Sequence, residues 1–244
     1  MTKTIYVAGY PKSGTTWLTR LLGDALDCPT GGSTPKQDKT EPATEGKDRP
    51  GKYIVRKGHF MLFEGKADVT VPSPHKLAWK NLTEDEFVVF LVRDPRDIVV
   101  SGAHHWKVSP EVFLSWMCRG TNGVRLFGPW RRYINRWLDV NFTYFITSYE
   151  LLKKDEMKVL ISLFNAMSLP YDQDFVSEAI ARQEFAKRKR DIEKFGEHYP
   201  LGRTFNMRFM RKGVVGDWKT VFTKEMNKKA QKHFGPLLRT FGYE

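Results

Sequence analysis

The nonapeptide 9-GYPKSGTTW-17 joins a short β-prone run, Thr4 to Ala8, to 16-TWLTRLLGDAL-26, whose apolar residues recur at helical spacing. Gly9 and Gly14 give it the frame G-x-x-x-x-G. Between a strand and a helix, such a loop turns its backbone N–H groups and the helix N-terminus towards a phosphate. A nucleoside-triphosphatase loop continues with Lys and then Ser or Thr, placing an ammonium on the outer phosphates and a hydroxyl on magnesium. Here Gly14 is followed by Thr15 and Thr16, and the lysine, Lys12, lies inside the loop. The segment therefore reads as a site for a 5′-phosphate rather than for a metal-bound triphosphate.

Outward from this loop, Lys52 to Val55 reads as a second short strand, and the apolar run 87-FVVFLV-92 as a strand buried on both faces of a parallel sheet. Asp94 is placed to cap a helix that begins at Pro95. A further strand is expected over Phe142 to Ile146, then helix through 148-SYELLKKDEMKVLISLFNAM-167, and a last helix over 223-TKEMNKKAQKHFGPLL-238. Strands alternating with helices predict an α/β fold with a central parallel sheet flanked by helices. The length, 244 residues, fits one domain over 1–244, with an exposed Pro-, Gly- and Lys-rich loop at 28–51.

Lys and Arg outnumber Asp and Glu by 40 to 28, a formal charge of +12, which calls for an anionic ligand. Apart from 187-KRKR-190 the cations are spread along the chain, unlike a basic nucleic-acid-binding tail. Cys28 and Cys118 are the only cysteines and have no metal-ligand partners nearby, so neither a disulfide framework nor a metal site is expected. A cytoplasmic setting is expected, since no signal-type leader and no membrane-spanning run is visible.

The segment PKSGTTW resembles the 5′-phosphosulfate loop of the cytosolic-type sulfotransferases, which use 3′-phosphoadenosine 5′-phosphosulfate (PAPS) as donor and have a P-loop-like nucleotide-binding fold. Two later segments agree in order and spacing. In 90-FLVRDPRDIVVS-101, Arg93 and Ser101 match the family's 3′-phosphate site, and in 209-FMRKGVVGDWKTVFT-223, Arg211, Lys212 and Gly213 match its C-terminal Arg-Lys-Gly loop. A guanidinium can hold phosphate through two parallel hydrogen bonds, and a hydroxyl adds a third.

The resemblance implies sulfonate transfer to a hydroxyl or amine of a small-molecule acceptor, leaving 3′-phosphoadenosine 5′-phosphate (PAP). In 56-RKGHF-60 it assigns His59 as general base and Lys57 as a helper in binding the acceptor or the transition state, with Gly58 where relatives often carry Thr. Lys12 becomes the stabiliser of the leaving phosphate, with Ser13, Gly14, Thr15 and Thr16 around the donor. Trp17, Tyr149 and Phe185 become its adenine contacts. Neither metal nor nucleic acid is implied. Phe60, Phe63, Trp106 and the 28–51 loop are the expected acceptor-side residues, whereas His104 and His105 read as surface or packing residues. The family's dimer segment is only half matched: Lys219 and Thr223 stand in place, but Lys224 and Lys228 replace its Val and Glu. The expectation is a monomer or weak homodimer. Two other readings compete, a P-loop nucleotide kinase and a non-catalytic nucleotide or polyanion binder.

Overall fold

The first strand, β1 (Lys3–Ala8), alternates Ile5 and Val7 with Tyr6 and Ala8, and all four are buried, so both faces of the sheet must be covered. In the computed structural model, which describes residues 3–31, 46, 48–63, 76–78, 82–195, 197–198, 204–205 and 211–243, both faces are covered by helices. The other elements are α1 (Thr15–Ala25), β2 (Thr30–Gly31), β3 (Tyr53–Gly58), β4 (Met61–Phe63), β5 (Lys76–Ala78), β6 (Glu86–Val92), α2 (Pro95–Trp106), α3 (Pro110–Arg119), α4 (Trp130–Leu138) and β7 (Phe145–Ser148). Then follow α5 (Tyr149–Lys154), α6 (Glu156–Ala166), α7 (Gln173–Arg182), α8 (Phe185–Phe195), β8 (Glu197–His198), β9 (Thr204–Phe205) and α9 (Lys224–Thr240).

Five strands form one parallel sheet in the order β2-β3-β1-β6-β7. Ile5, Val7, Val89 and Leu91 face α1, α5, α6 and α7. Tyr6, Ala8, Val88, Phe90 and Val92 face α2, α3, α4 and α9. This is the expected α/β architecture, with β1 at its centre and β3 and β6 beside it.

Four boundaries differ from the sequence reading. The second predicted strand runs on to Gly58, so Lys57 lies within β3 and not in a loop. The strand expected over Phe142 to Ile146 begins at Phe145 instead, because Phe142 and Tyr144 pack with Trp137, where the Tyr144 hydroxyl donates to the Trp137 carbonyl (2.6 Å). The single helix expected over 148–167 is two, broken at Asp155, whose extended backbone lets its carboxylate accept from the Lys158 N–H (2.8 Å) and cap α6. The 28–51 segment is not exposed throughout: Cys28 and Thr30 are buried, and Thr30–Gly31 pairs with β3. Positions 32–45 and 47 lie outside the described residues.

Candidate active site

Because the strands are parallel, the loops leaving β1, β3 and β6 open at the same edge, where binding crevices of open α/β sheets form. A cavity of about 430 Å³ lies there, and the three loops bring Lys12, His59 and Arg93 to its wall.

The phosphate loop achieves its curve with two left-handed residues, Lys12 (φ 72°) and Gly14 (φ 97°). Gly14 is the residue before α1 and offers no side-chain cap, so the first N–H groups of that helix are open to an anion. A β-carbon on Gly14 would lie 2.7 Å from the Tyr149 ring, so the loop and the ring are fitted to each other. Lys12, Gly14, Thr15, Thr16 and Trp17 all line the cavity. Ser13 does not: its side chain is buried, and its N–H closes the turn on the Tyr10 carbonyl (3.1 Å).

Lys57, at the end of β3, is 7 % exposed and donates from Nζ to Thr16 Oγ1 (2.9 Å), tying the strand to the first turn of α1. Two residues on, His59 Nδ1 lies 2.8 Å from the Gly9 carbonyl oxygen. A carbonyl only accepts, so Nδ1 carries a proton and the lone pair of the neutral imidazole sits on Nε2. Gly58 has a local reason: a β-carbon there would strike the Phe60 ring at 2.3 Å. That ring is fully buried, edge-on to Tyr6, and so Phe60 is core rather than the acceptor contact expected of it. The Phe63 side chain lies outside the described residues.

Arg93 follows β6 and is 8 % exposed. Its Nη1 donates to the Lys12 carbonyl (3.1 Å), its Nη2 to the Val214 carbonyl (3.4 Å), and its guanidinium lies 4.0 Å over the Tyr149 ring. One arginine thus joins the phosphate loop, the C-terminal loop and an aromatic wall. Among the described residues, Arg93 Nε and Arg211 Nε are buried without hydrogen-bond partners, donors that a bound oxyanion would satisfy. Ser101, two turns into α2, reaches the same wall, as do Arg211, Lys212 and Gly213. Arg211 and Lys212 both pair with Asp217, Lys212 at 2.9 Å. Burial acts to raise the Asp217 carboxyl, but these two hydrogen bonds and their charges outweigh it and hold it below the usual carboxylate range. Trp17 meets Tyr149 edge-on (5.6 Å between centroids), and Phe185 covers Gly213, where a β-carbon would lie 2.4 Å from its ring.

Several residues that line or support the site escaped the sequence reading. Asp97, 1 % exposed, accepts from the Gly216 N–H (2.7 Å) and the Trp218 N–H (3.0 Å), and so fastens to α2 the segment that follows Arg211–Gly213. His105 lines the cavity beside Trp106 and Phe127 instead of lying on the surface. Its spacing of four from Ser101 on one helix could have shown this. Burial, with the Lys12 and His104 charges, pushes His105 down to about 4, leaving the imidazole neutral at physiological pH. Arg20, Lys153, Gln183 and Arg188 stand around the Trp17 end, with Lys153 Nζ 5.2 Å from that ring. Among the described residues no cluster of three or more His, Cys, Asp or Glu could hold a metal, and no helix is long and apolar enough to cross a membrane.

A phosphate loop with cations around it, and a histidine just past the neighbouring strand β3, defines an anion-binding α/β site. The chain belongs to the sulfotransferase family: the sulfotransferase domain model matches residues 2–242. It is therefore a transferase acting on sulfonate groups. Curated relatives include rat sulfotransferase 2A1, 27 % identical over 97 % of this chain and 85 % of that protein, and bovine sulfotransferase 1A1, 23 % identical over 94 % and 81 %. The fold is shared with mouse sulfotransferase SULT7A1 complexed with PAP, with a TM-score of 0.72 and 21 % identity over 98 % of this chain and 84 % of that one. It is also shared with retinol dehydratase in complex with retinol and PAP, with a TM-score of 0.63 and 19 % identity over 97 % and 81 %.

Proposed function

We propose that the chain, acting as one catalytic unit, moves a sulfonate from PAPS to a hydroxyl or amine of a small-molecule acceptor, with His59 as base and Lys12 as electrostatic stabiliser. The observation that carries this reading is the Nδ1–H of His59 held on the Gly9 carbonyl, beside the phosphate loop, which puts the lone pair of the neutral ring on Nε2.

The donor supplies a sulfonate joined to its 5′-phosphate through an oxygen that becomes a phosphate oxygen when the sulfonate departs. His59 Nε2 takes the proton of the acceptor, and the Gly9 carbonyl steadies the imidazolium that results. Lys12, on the same wall, opposes the negative charge that grows on the leaving oxygen, as do the open N–H groups of α1. Lys57 acts by fixing Thr16. Arg93 and Ser101, with the Arg211–Gly213 loop, hold the second phosphate through their cations and hydroxyl. Trp17, Tyr149 and Phe185 give adenine an aromatic surface, and Trp106 and Phe127 give an acceptor an apolar one. His105 adds a neutral hydrogen-bonding group to that surface, fitting an acceptor that is largely apolar with a polar substituent.

Calorimetric titration with PAP in chelator, and with ATP and magnesium, tests the donor. The expected result is tight binding of PAP and none of ATP; the reverse would transfer the site to nucleotide kinase chemistry. A mass-spectrometric screen of hydroxylated and amine acceptors with PAPS identifies the acceptor. His59→Ala is expected to abolish transfer while PAP binds normally, and retained turnover would remove His59 from the chemistry.

A further inference from the structure

On the outer side of the layer formed by α3, α4 and α9 lies a second cavity, about 460 Å³, which shares no lining residue with the donor cavity. Its floor is apolar, built by Met117 and Phe234, and the ring contact of Phe234 with Trp130 (5.2 Å between centroids) sets the spacing of α4 and α9. Its walls are cationic. Arg131, Arg132 and Arg136 come from α4 and Lys232 from α9, against one carboxylate, Asp139. Among the described residues, Arg131, Arg132 and Lys232 have no carboxylate within ion-pair distance and no side-chain hydrogen bond.

Arg132 and Arg136 stand four residues apart on one helix face, a like-charge spacing that mildly disfavours the helix. Pro129, which also lines the groove, precedes α4 and gives its N-terminus no side-chain cap. The field is felt locally: His233, in the same groove, is pushed below the ordinary histidine range by burial and by Lys229, Lys232 and Arg131. The donor site accounts for none of these residues.

We propose that the groove between α4 and α9 is a second anion site, which takes a phosphate- or sulfate-type oxyanion between Arg131, Arg132 and Lys232. Fork-like guanidinium groups on two successive residues and an ammonium across the groove are the donor set that such an oxyanion satisfies. The asparagine Asn135 adds a neutral donor at the same wall.

Cys118 lines the groove and is half-buried, whereas Cys28, the other cysteine, is fully buried, so alkylation of Cys118 reports occupancy without reference to activity. The experiment follows iodoacetamide labelling of the Cys118 peptide by mass spectrometry at alkaline pH, in protein saturated with PAP so that the donor cavity is filled. Pyrophosphate is titrated in one arm. In the other, phosphatidylcholine vesicles are added with or without about one-fifth phosphatidylserine. Saturable slowing by pyrophosphate is expected, weakened about tenfold in the triple variant R131Q/R132Q/K232Q, whose side chains are exposed and whose folding circular dichroism checks. Slowing by the anionic vesicles alone would assign the oxyanion to a lipid headgroup instead. Labelling unaffected by either probe, slowed equally by chloride at matched ionic strength, or protected equally in the triple variant would overturn the site.

Discussion

Asp97 holds no ligand, yet its loss is expected to cost both stability and donor affinity. Its carboxylate accepts from the Gly216 and Trp218 N–H groups at 2.7 and 3.0 Å, and it is 1 % exposed. Hydrogen bonds to a charged group contribute about 1.5–3 kcal/mol each, so Asp97→Ala removes about 3–6 kcal/mol from the docking of the 211–218 loop. For a chain of this length each kcal/mol moves the melting temperature by about 2–4 °C, giving a fall of about 6–24 °C. The same loop carries Arg211, Lys212 and the Val214 carbonyl that receives Arg93, so PAP affinity should fall by about tenfold or more, one decade for each 1.4 kcal/mol lost at the site. Asp97→Asn keeps one acceptor oxygen and should lose about half as much. Thermal unfolding by circular dichroism and calorimetric titration with PAP measure the two effects. If Asp97→Ala melts within about 2 °C of the parent and binds PAP equally well, the two Asp97 bonds do not hold the loop on α2 and the reasoning fails.

Gly14→Ala places a β-carbon 2.7 Å from the Tyr149 ring at φ 97°, and should destabilise the protein by about 2–4 kcal/mol from backbone strain and overpacking together. Its melting temperature and PAP affinity should both fall, and a parent-like PAP affinity would show that the ring has room to yield. Lys12→Ala should lower turnover more than donor affinity and Arg93→Ala the reverse, read from kcat and from PAP binding; losses in affinity alone for both would remove Lys12 from the chemistry. His105 is held down to about 4, so between that value and the ordinary histidine pKa the unfolded chain binds a proton that the folded chain refuses. Stability from this source is complete above the unfolded pKa and is lost as pH falls towards 4, by on the order of 1–2 kcal/mol after allowance for its partial exposure. His105→Phe should therefore flatten the urea stability profile between pH 7 and 5, and an unchanged slope would show that the imidazole is not desolvated.

The phosphate loop, Arg93 and the α/β pattern were legible because each is local: glycine positions, a cation after an apolar run, and a period of hydrophobicity. What failed to show is long-range. Asp97 looks like an ordinary first-turn helix acidic residue until the chain returns more than a hundred positions later to dock on it. Phe60 looked available to an acceptor because nothing local says that Tyr6 and Gly58 enclose it. The aromatic pair Phe142 and Tyr144 imitates a strand, whereas Trp137 recruits both rings. Asp155 did carry a readable signal, a capping aspartate inside a helical pattern, which the uninterrupted apolar period masked.

Because β1 lies between β3 and β6, the ligand site is expected to form late in folding. Ile5 pairs with Val55 on one side and with Phe87 on the other, so Lys12, His59 and Arg93 converge only after two distant segments have closed on the central strand. Such non-local parallel pairing is slow compared with helix formation. In refolding from urea, helical circular dichroism should recover first, and PAP-binding capacity should return only with the final phase. A truncated or kinetically trapped chain lacking either flanking strand would retain its helices and still be unable to recognise nucleotide.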